Sequence, residues 1–592
     1  MLIGAVLLAI LLYFMIDADK SKVERISSFI FSIVLYSIST LFFWQKFNYD
    51  ITKMKGWVFP VSNVVTQLVL SLISVIVIWV YFYIKEIVSN SEKFSYKQVF
   101  FLLVRVILVF LGTISLFSSY WAMHYFGNIK FDQIMFTISQ PLTGTNVTQI
   151  TDYIKGPLLL SLMTTFWLVA LGDLLFLCAK KLIKNKRLIN TVYTFSTILF
   201  IVSSFAYSLK LLGFNDIKAY FFETTKMYDS YYVDPRDVSM TFPENKRNLI
   251  YIFLESMESS YSSKEYGGIE SENLIPNLTN EALNEGVNFS NRTDLGGMIT
   301  IPGANQTVSS MFAQTSGIPL RTSGSIDENS YRSTQEYFMP GAYTLGEILQ
   351  DQGYNQMLFI GSQGTFGGRD KYFKQHGNYT IRDYYWFKKE GIIPDDYYVW
   401  WGVEDEKIFP YAKESLSELA SADQPFNFTM LTTNTHFEDG FKSAATPYKF
   451  TDQYSNVIYY SDYLVEDLLQ WIKQQDFYQN TTVIVVGDHL TMDKDFFENI
   501  DPNYQRTAYN VILNAPTTIQ KSNHNRLFNA TDFFPTTLAA LDVSLSSDRL
   551  GIGTNLYSNT PTLMEEMGQQ KYVQEVAKKS EFYNKTFIKD AP

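Results

Sequence analysis

Val483-Ile484-Val485-Val486-Gly487-Asp488-His489 is the stretch from which the fold can be read. Four consecutive aliphatic residues without polar alternation predict a strand buried on both faces, as in a parallel sheet. The run ends in a glycine, a carboxylate and an imidazole. A second run of the same kind, Asn248-Leu-Ile-Tyr-Ile-Phe-Leu-Glu255, also ends in a carboxylate. Further runs rich in β-formers occupy 355–360, 427–432 and 508–513, and helical patterns lie between them, as at 455–472 and 529–541. This alternation predicts an α/β domain with a mostly parallel central sheet covered by helices on both faces. Ligands of such sheets collect beyond the carboxyl ends of the strands. Glu255, Asp488 and His489 are therefore expected at one edge, together with His436, which follows 427–432 through Thr433-Asn434-Thr435.

The 592-residue chain is too long for one core of ordinary size, and its apolar content is uneven. Residues 1–210 carry long apolar runs, whereas 240–592 have the composition of soluble protein. A formal net charge of -11 argues against a nucleic-acid partner. The single cysteine, Cys178, lies in an apolar run, so neither an intrachain disulfide nor a thiolate metal site is available. The histidines are His124, His376, His436, His489 and His524. Metal chemistry in this chain must lean on carboxylates.

Apolar runs fall at about 1–16, 26–44, 62–84, 99–121, 158–179 and 189–208. A membrane span needs roughly 20 residues, so the first is marginal, and six helices are expected with five as the alternative. Lys180, Lys181, Lys184, Lys186 and Arg187 crowd the turn between the last two runs and mark it as cytoplasmic. The 122–156 loop and everything after 208 then lie outside. Lys85, Lys93 and Lys97 agree with this orientation; Lys46, Lys53 and Lys55 oppose it. Trp44, Trp57 and Trp121 sit near run ends, as interfacial aromatics do. Arg105, inside the fourth run, is expected to snorkel toward its inner end, with a headgroup or another helix as the alternative partner. The aromatic-rich stretch 209–245 reads as a linker helix on the outer membrane surface or an ordinary interdomain helix. The expected organisation is a transmembrane domain at 1–208, this linker at 209–245, an extracellular α/β domain at 246–560 and a helical tail at 561–592.

Glu255, Asp488 and His489 offer a divalent cation three ligands. A fourth position is left for a hydroxyl, water or substrate. A threonine hydroxyl is a poor nucleophile at its own pKa, and a neighbouring cation lowers that pKa enough for attack on phosphorus. Thr300, Thr307, Ser309 and Ser310 are all candidates. A helical pattern at 308–314 puts Thr307 at a helix N-terminus, where backbone N–H groups favour an anion and where Thr307 can equally serve as N-cap.

Leu-Glu255-Ser-Met-Glu258, Thr307-Val-Ser-Ser-Met-Phe-Ala-Gln-Thr-Ser-Gly-Ile-Pro-Leu320 and Gly487-Asp488-His489 resemble the motifs of the phosphoglycerol transferases, in the sulfatase-like branch of the alkaline phosphatase superfamily. Phe366-Gly-Gly-Arg369-Asp-Lys-Tyr-Phe-Lys-Gln-His376-Gly377, Trp401-Gly-Val-Glu-Asp405 and Phe131-Asp-Gln-Ile-Met-Phe-Thr-Ile-Ser-Gln-Pro-Leu-Thr-Gly144 are similar to the phosphoglycerol transferase I type in particular. Asp532-Phe-Phe-Pro-Thr-Thr-Leu538 is like the late helix of sulfatases generally. The resemblance covers roughly 130–555. It implies a metal set of Glu255, Thr307, Asp488 and His489, usually with manganese and otherwise magnesium or zinc. Thr307 would be the nucleophile, with Arg369 and His436 facing the glycerophosphate.

The implied donor is phosphatidylglycerol in a bacterial cell membrane, crossed several times by the chain. The implied acceptor is a cell-envelope glycan or glycolipid. Arg369 can clamp phosphate oxygens, with a surface ion pair to Asp370 as the rival reading. His436 can bond a phosphoryl oxygen or act as base for the incoming hydroxyl. His376 is expected to be structural, Glu258 to be solvated or, as the alternative, to support Glu255 from behind, and His124 and His524 to have no role. Alternatives are a polyglycerolphosphate polymerase of the lipoteichoic acid synthase type, a phosphoethanolamine transferase and a non-catalytic envelope binder. Phosphoethanolamine transferases commonly carry disulfides in this domain, which a chain whose single cysteine is Cys178 lacks, and sulfatases need a Cys/Ser-x-Pro-x-Arg setting, which Thr307-Val-Ser-Ser does not provide.

Overall fold

The computed structural model describes residues 96–127, 129–139, 147–321, 336–498 and 500–589. The apolar runs at 1–16, 26–44 and 62–84, with Trp44, Trp57 and the lysines from Lys46 to Lys93, lie outside the described residues. Two compact units result: one up to Trp121 together with Ile150–Leu211, the other comprising Ala122–Gln149 and all that follows Leu212.

The first unit is built on helices α1 (Tyr96–Tyr125), α3 (Leu159–Leu182) and α4 (Lys186–Leu211). They coincide with the apolar runs expected at 99–121, 158–179 and 189–208. Phe100–Tyr125 and Lys186–Leu211 are each 26 residues long and apolar enough to cross a membrane. At ~1.5 Å per residue such a helix exceeds the ~30 Å hydrocarbon thickness. The polarity of this unit is inverted. Phe100, Phe101, Phe195 and Ile198 are exposed, while Thr113 is fully buried and its Oγ1 lies 2.8 Å from Thr165 Oγ1. Interhelical hydroxyl bonds beneath an apolar exterior suit helices packed in lipid. The Arg105 guanidinium stacks over Tyr193, 4.9 Å from the ring centre.

The second unit is organised by a six-stranded sheet. Its strands are β1 (Asn248–Leu254), β2 (Asn355–Ile360), β3 (Thr380–Arg382), β4 (Phe426–Leu431), β5 (Thr481–Gly487) and β6 (Asn510–Leu513), in the spatial order β3-β2-β4-β1-β5-β6. All neighbours are parallel except β5 and β6. The five expected strands are present. β3, three residues at the edge, is too short to show a periodic pattern.

Alternate side chains of β1 and β5 feed two separate cores. Tyr251, Phe253, Ile484 and Val486 enter one; Ile250, Ile252, Leu254, Val483 and Val485 enter the other. At roughly 1.5–3 kcal/mol per buried aliphatic or aromatic side chain, this double burial fixes the central strands in place. The first core is covered by α6 (Thr307–Ser316) and α10 (Phe533–Ala540), the second by α8 (Asp405–Ala420) and α9 (Gln453–Lys473). Tyr572, Tyr583 and Phe587, from the stretch expected to be a C-terminal tail, are fully buried in the first core beside Phe533 and Leu550. Register pairs Leu254 with Gly487, so β1 and β5 end at the same level. A side chain at Gly487 would stand 1.9 Å from the Met257 carbonyl oxygen, which restricts this position to glycine.

Candidate active site and metal centre

Because β1 and β5 end together, Glu255 and Asp488 leave the sheet side by side. Ser256 turns the chain sharply with a φ of +54°. Its N–H donates to Asp488 Oδ1 at 2.8 Å, and its hydroxyl to Glu255 Oε1 at 2.8 Å. The His489 N–H also donates to Asp488 Oδ1, at 2.7 Å. His489 Nδ1 lies 2.9 Å from the Leu490 carbonyl oxygen, which places the ring proton there and leaves the Nε2 lone pair free. Nε2 is 3.4 Å from Asp488 Oδ2 and 3.5 Å from Glu255 Oε1.

The ligand atoms of Glu255, Asp488 and His489 all lie within 4.8 Å of one another, and all three residues are buried. Asp488 Oδ2 is buried and has no hydrogen-bond partner. Burial and the adjacent Glu255 push the Asp488 carboxyl up to about 7. Burial also opposes the charge on Glu255, but His489 and His436 outweigh it and hold that carboxyl below its usual value. His489 is raised: burial works against its charge, and Asp488 and Glu255 overcome it. An orphaned carboxylate oxygen among two hard oxygen donors and one imidazole fits a divalent cation.

Thr307 reaches the same point from α6. Gln306, in extended conformation, is the N-cap residue. Its N–H donates to Ser309 Oγ at 3.2 Å, and Ser309 Oγ donates back to the Gln306 carbonyl at 2.8 Å. The cap reading of Thr307 is thereby corrected: Gln306 and Ser309 close the helix start, and Thr307 is its first residue. Ser310 Oγ is spent on the Asp488 carbonyl at 2.5 Å. Thr307 Oγ1 donates to Glu255 Oε2 at 3.1 Å and lies 3.3 Å from His489 Nε2. Of the four candidate hydroxyls, Thr307 joins the carboxylate–imidazole cluster.

The loop after β4 is stitched to the same edge. The Glu255 N–H donates to Thr432 Oγ1 at 3.0 Å, and Thr435 Oγ1 donates to the Glu255 carbonyl at 2.5 Å. Asp405, fully buried at the start of α8, accepts the Thr433 and Asn434 N–H groups at 2.8 and 2.9 Å. His436, held by this loop, places Nδ1 2.8 Å from the Phe437 carbonyl oxygen, leaving Nε2 as an acceptor. Burial lowers its pKa more than Glu255 raises it, which favours the neutral ring. Trp401 packs 4.2 Å from the imidazole, centre to centre.

Arg369 is the first residue of α7 (Arg369–Gln375), after two glycines at φ +69° and +76°. It is buried, and Nε and Nη2 donate to the Phe366 and Gln363 carbonyls at 3.2 and 2.9 Å. The alternative of an ion pair to Asp370 is not what forms; Asp370 Oδ1 accepts the Lys371 N–H at 2.7 Å. Burial lowers the Arg369 pKa to about 10, still charged at neutral pH, and Glu255 heads the acids that oppose the fall.

His376 is buried between Glu347 (3.0 Å) and the Phe338 carbonyl (2.6 Å), as expected of a structural residue. Glu258 departs from expectation. It is fully buried, ion-paired to Arg506, and accepts the Thr491 N–H at 2.9 Å. The partner lies 248 positions away, so nothing local revealed it. Sequence reasoning also gave no role to Ser256, Thr432 and Thr435, for which hydroxyls flanking the strand-end acid were the available signal, and quoted Asp405 only as the end of a motif.

The segment between the long helices contributes as well. α2 (Phe131–Ser139) places Asp132 Oδ2 against the Gly303 N–H (3.1 Å) and Asn305 Nδ2 (2.9 Å). Gln133 Nε2 donates to the Asn305 carbonyl at 2.9 Å. These bonds brace the loop that leads into Thr307.

Residues 247–543 match the sulfatase family. Among curated relatives, phosphoglycerol transferase I of Xanthomonas axonopodis pv. citri is 28% identical over 281 residues, covering 45% of this chain and 38% of its own length. Phosphoglycerol transferase I of Escherichia coli O127:H6 is 30% identical over 297 residues, covering 48% and 36%. The chain thus matches just over a third of the length of these relatives. Among solved structures, the lipoteichoic acid synthase of Listeria monocytogenes is 17% identical with a TM-score of 0.42, covering 57% of this chain and 82% of its own. Lipooligosaccharide phosphoethanolamine transferase A of Neisseria meningitidis is 14% identical with a TM-score of 0.41, covering 86% and 96%. The assignment rests on the sequence match, which takes in half of the chain together with the sheet and the acid–histidine cluster at its edge: this chain belongs to the sulfatase family and carries its alkaline phosphatase-like fold.

Proposed function

We propose that the protein is a membrane-anchored phosphoglycerol transferase. It moves glycerol 1-phosphate from phosphatidylglycerol, through a covalent intermediate on Thr307, to a hydroxyl of a cell-envelope glycan or glycolipid. The supporting observation is the placement of Thr307 Oγ1 3.1 Å from Glu255 and 3.3 Å from His489, beside the unpartnered oxygen of Asp488. The likeness to phosphoglycerol transferase I supports the choice of group transferred. Among the described residues, two helices apolar enough to span a bilayer support a lipid donor met at the membrane, and the basic turn carrying Lys180, Lys184, Lys186 and Arg187 supports a catalytic unit on the outer side.

Glu255, Asp488, His489 and the Thr307 hydroxyl would hold a divalent cation, manganese first and magnesium or zinc otherwise, which when bound supplies charge that lowers the hydroxyl pKa and neutralises phosphoryl oxygens. The chain's own groups do the rest. Thr307 Oγ1 bonds to phosphorus as the bond from phosphorus to the diacylglycerol oxygen breaks, and the proton that Thr307 gives up ends on diacylglycerol. Arg369, already ordered by two carbonyls, counters the charge that gathers on the phosphoryl oxygens. In the second half, His436 Nε2 takes the proton of the acceptor hydroxyl as that oxygen bonds to phosphorus. The bond to Thr307 breaks, and the proton returns to Oγ1.

Phosphatidylglycerol labelled in its headgroup tests the reading. Incubated with the full-length protein and manganese, it is expected to release diacylglycerol and to leave labelled glycerophosphate on Thr307, found by peptide mass analysis. Diacylglycerol release that survives Thr307→Ala would refute the covalent route. Release from phosphatidylethanolamine in place of phosphatidylglycerol would refute the donor.

A further inference from the structure

Residue 437 governs the base of the proposed reaction. The Phe437 carbonyl oxygen holds His436 Nδ1, and the imidazole stacks on the Phe437 ring, 5.1 Å between centres with the planes 23° from parallel. The proton on Nδ1 and the set of the imidazole both follow from where this residue stands. The chain is tied on either side of it. The His436 N–H donates to the Thr433 carbonyl at 3.1 Å, the Asp439 N–H to Asp493 Oδ2 at 2.7 Å, and the Phe441 N–H to the Asn434 carbonyl at 2.7 Å. At Phe437 the side chain makes the tie. It is only 4% exposed, yet it belongs to neither of the two cores that flank the sheet. Among the described residues, the rings that meet it besides the imidazole are Tyr125 at 6.2 Å and Phe126 at 5.6 Å, both edge-on.

Tyr125 is the last residue of α1 and Phe126 the next one along. Both are far from His436 in the sequence but belong to the same compact unit as the sheet. They stand edge-on to each other at 4.9 Å, so the two rings form one block against Phe437. The same segment continues into α2, whose Asp132 braces the loop before Thr307.

We infer that Tyr125 and Phe126 are positioning residues for His436: by packing on Phe437 they fix the imidazole whose Nε2 takes the proton of the acceptor hydroxyl. A base works only within hydrogen-bond reach of that proton, about 2.6–3.2 Å between heavy atoms. A displacement of ~1 Å caused by a substitution away from the chemistry costs about a hundredfold in rate. Edge-on ring contacts are suited to this task, because the ring quadrupole favours one arrangement over others of equal area. The first half of the reaction does not call on His436, so the inference, which rests on the transferase reading, assigns the two rings to the second half alone.

Rapid quench of the full-length protein with headgroup-labelled phosphatidylglycerol, manganese and excess glycerol as the acceptor alcohol tests it. Two rates are read: label reaching Thr307, and label leaving Thr307 after a chase with unlabelled lipid. Tyr125→Ala with Phe126→Ala should leave the first rate within about twofold and slow the second about tenfold or more, so that labelled protein accumulates. Tyr125→Phe with Phe126→Tyr, which keeps both rings, should restore the second rate to within about twofold. Phe126→Leu, which keeps most of the volume but not the ring, should slow the second rate about threefold, and it decides the matter if the alanine pair fails to fold. A proportionate fall in both rates is the mark of packing alone and overturns the positioning role. Label that reaches Thr307 and leaves it at the unaltered rate in the variants overturns this inference but not the transferase reading. Label that never reaches Thr307 in the unaltered protein overturns that reading and this inference with it.

Discussion

Replacing Arg506 by methionine should damage both stability and the metal centre. Glu258 is fully buried; Arg506 donates to it through Nε at 2.9 Å and through Nη2, and Nη2 also donates to the Thr491 carbonyl at 2.8 Å. The pair therefore clamps the turn two residues beyond His489. Methionine keeps most of the aliphatic volume but leaves a buried carboxylate without its cation. Breaking a buried pair in this way costs about 3–5 kcal/mol, a large share of the ~5–15 kcal/mol that holds a domain folded. In a unit of this size ~1 kcal/mol moves the midpoint by about 2 °C, so a fall of roughly 6–10 °C is expected. Glu258→Gln in the same chain removes the stranded charge while still accepting the Thr491 N–H, and should recover at least half of the loss. The assay is thermal unfolding of the purified full-length protein at a fixed scan rate, with chelator and with manganese. Manganese should raise the midpoint of the unaltered protein, as any ligand specific for the folded state does, and should raise that of the Arg506 variant less. A midpoint within 2 °C of the unaltered protein, or no recovery in the double variant, would refute the claim that this pair supports the site.

Three further outcomes are expected. Gly487→Ala places a methyl group 1.9 Å from the Met257 carbonyl oxygen and must separate β1 from β5, so it should destabilise the protein by about 3 kcal/mol or more and abolish the manganese-induced midpoint shift. Asp132→Ala frees the loop before Thr307 from Gly303 and Asn305; diacylglycerol release should fall about tenfold in kcat with KM changed less than threefold, and Asp132→Asn, which keeps an accepting oxygen, should retain most of the rate. Burial pushes the Asp532 carboxyl up to about 7 from 3.8. Between those values the folded protein keeps a proton that the unfolded chain has lost, so this group makes stability fall as pH rises through that window. Asp405, Asp462 and Asp488 are pushed up in the same way, so Asp532→Asn should make the fall of the unfolding midpoint across pH 5–7 shallower without abolishing it, and an unchanged slope would contradict the assignment.

Much of the site was legible because strand ends and helix starts are local events. Runs of apolar residues long enough to be buried on both faces placed Glu255 and Asp488 at strand ends, and the 308–314 pattern placed Thr307 at a helix start. β3 escaped because a three-residue edge strand carries too few side chains to show a period. Arg369 could be read either as a phosphate clamp or as half of a surface pair with Asp370, because a sequence does not record burial. In the structure, two carbonyls of its own loop hold it, and Asp370 turns to a backbone N–H.

By itself, the sequence determined the long central elements and which reactive residue closes each of them, since periodicity, strand-end glycines and helix starts act over a few residues. Only the tertiary structure decided that the Leu254–Gly487 register brings two acids and an imidazole within 4.8 Å. It also decided that Ser309 rather than Thr307 completes the helix cap, and that Glu258 is buried against Arg506. The physical reason is range. Local patterns follow from backbone geometry and the burial of nearby side chains, whereas the separation of charges from distant segments, and hence their pKa values and partners, exists only once the sheet has assembled.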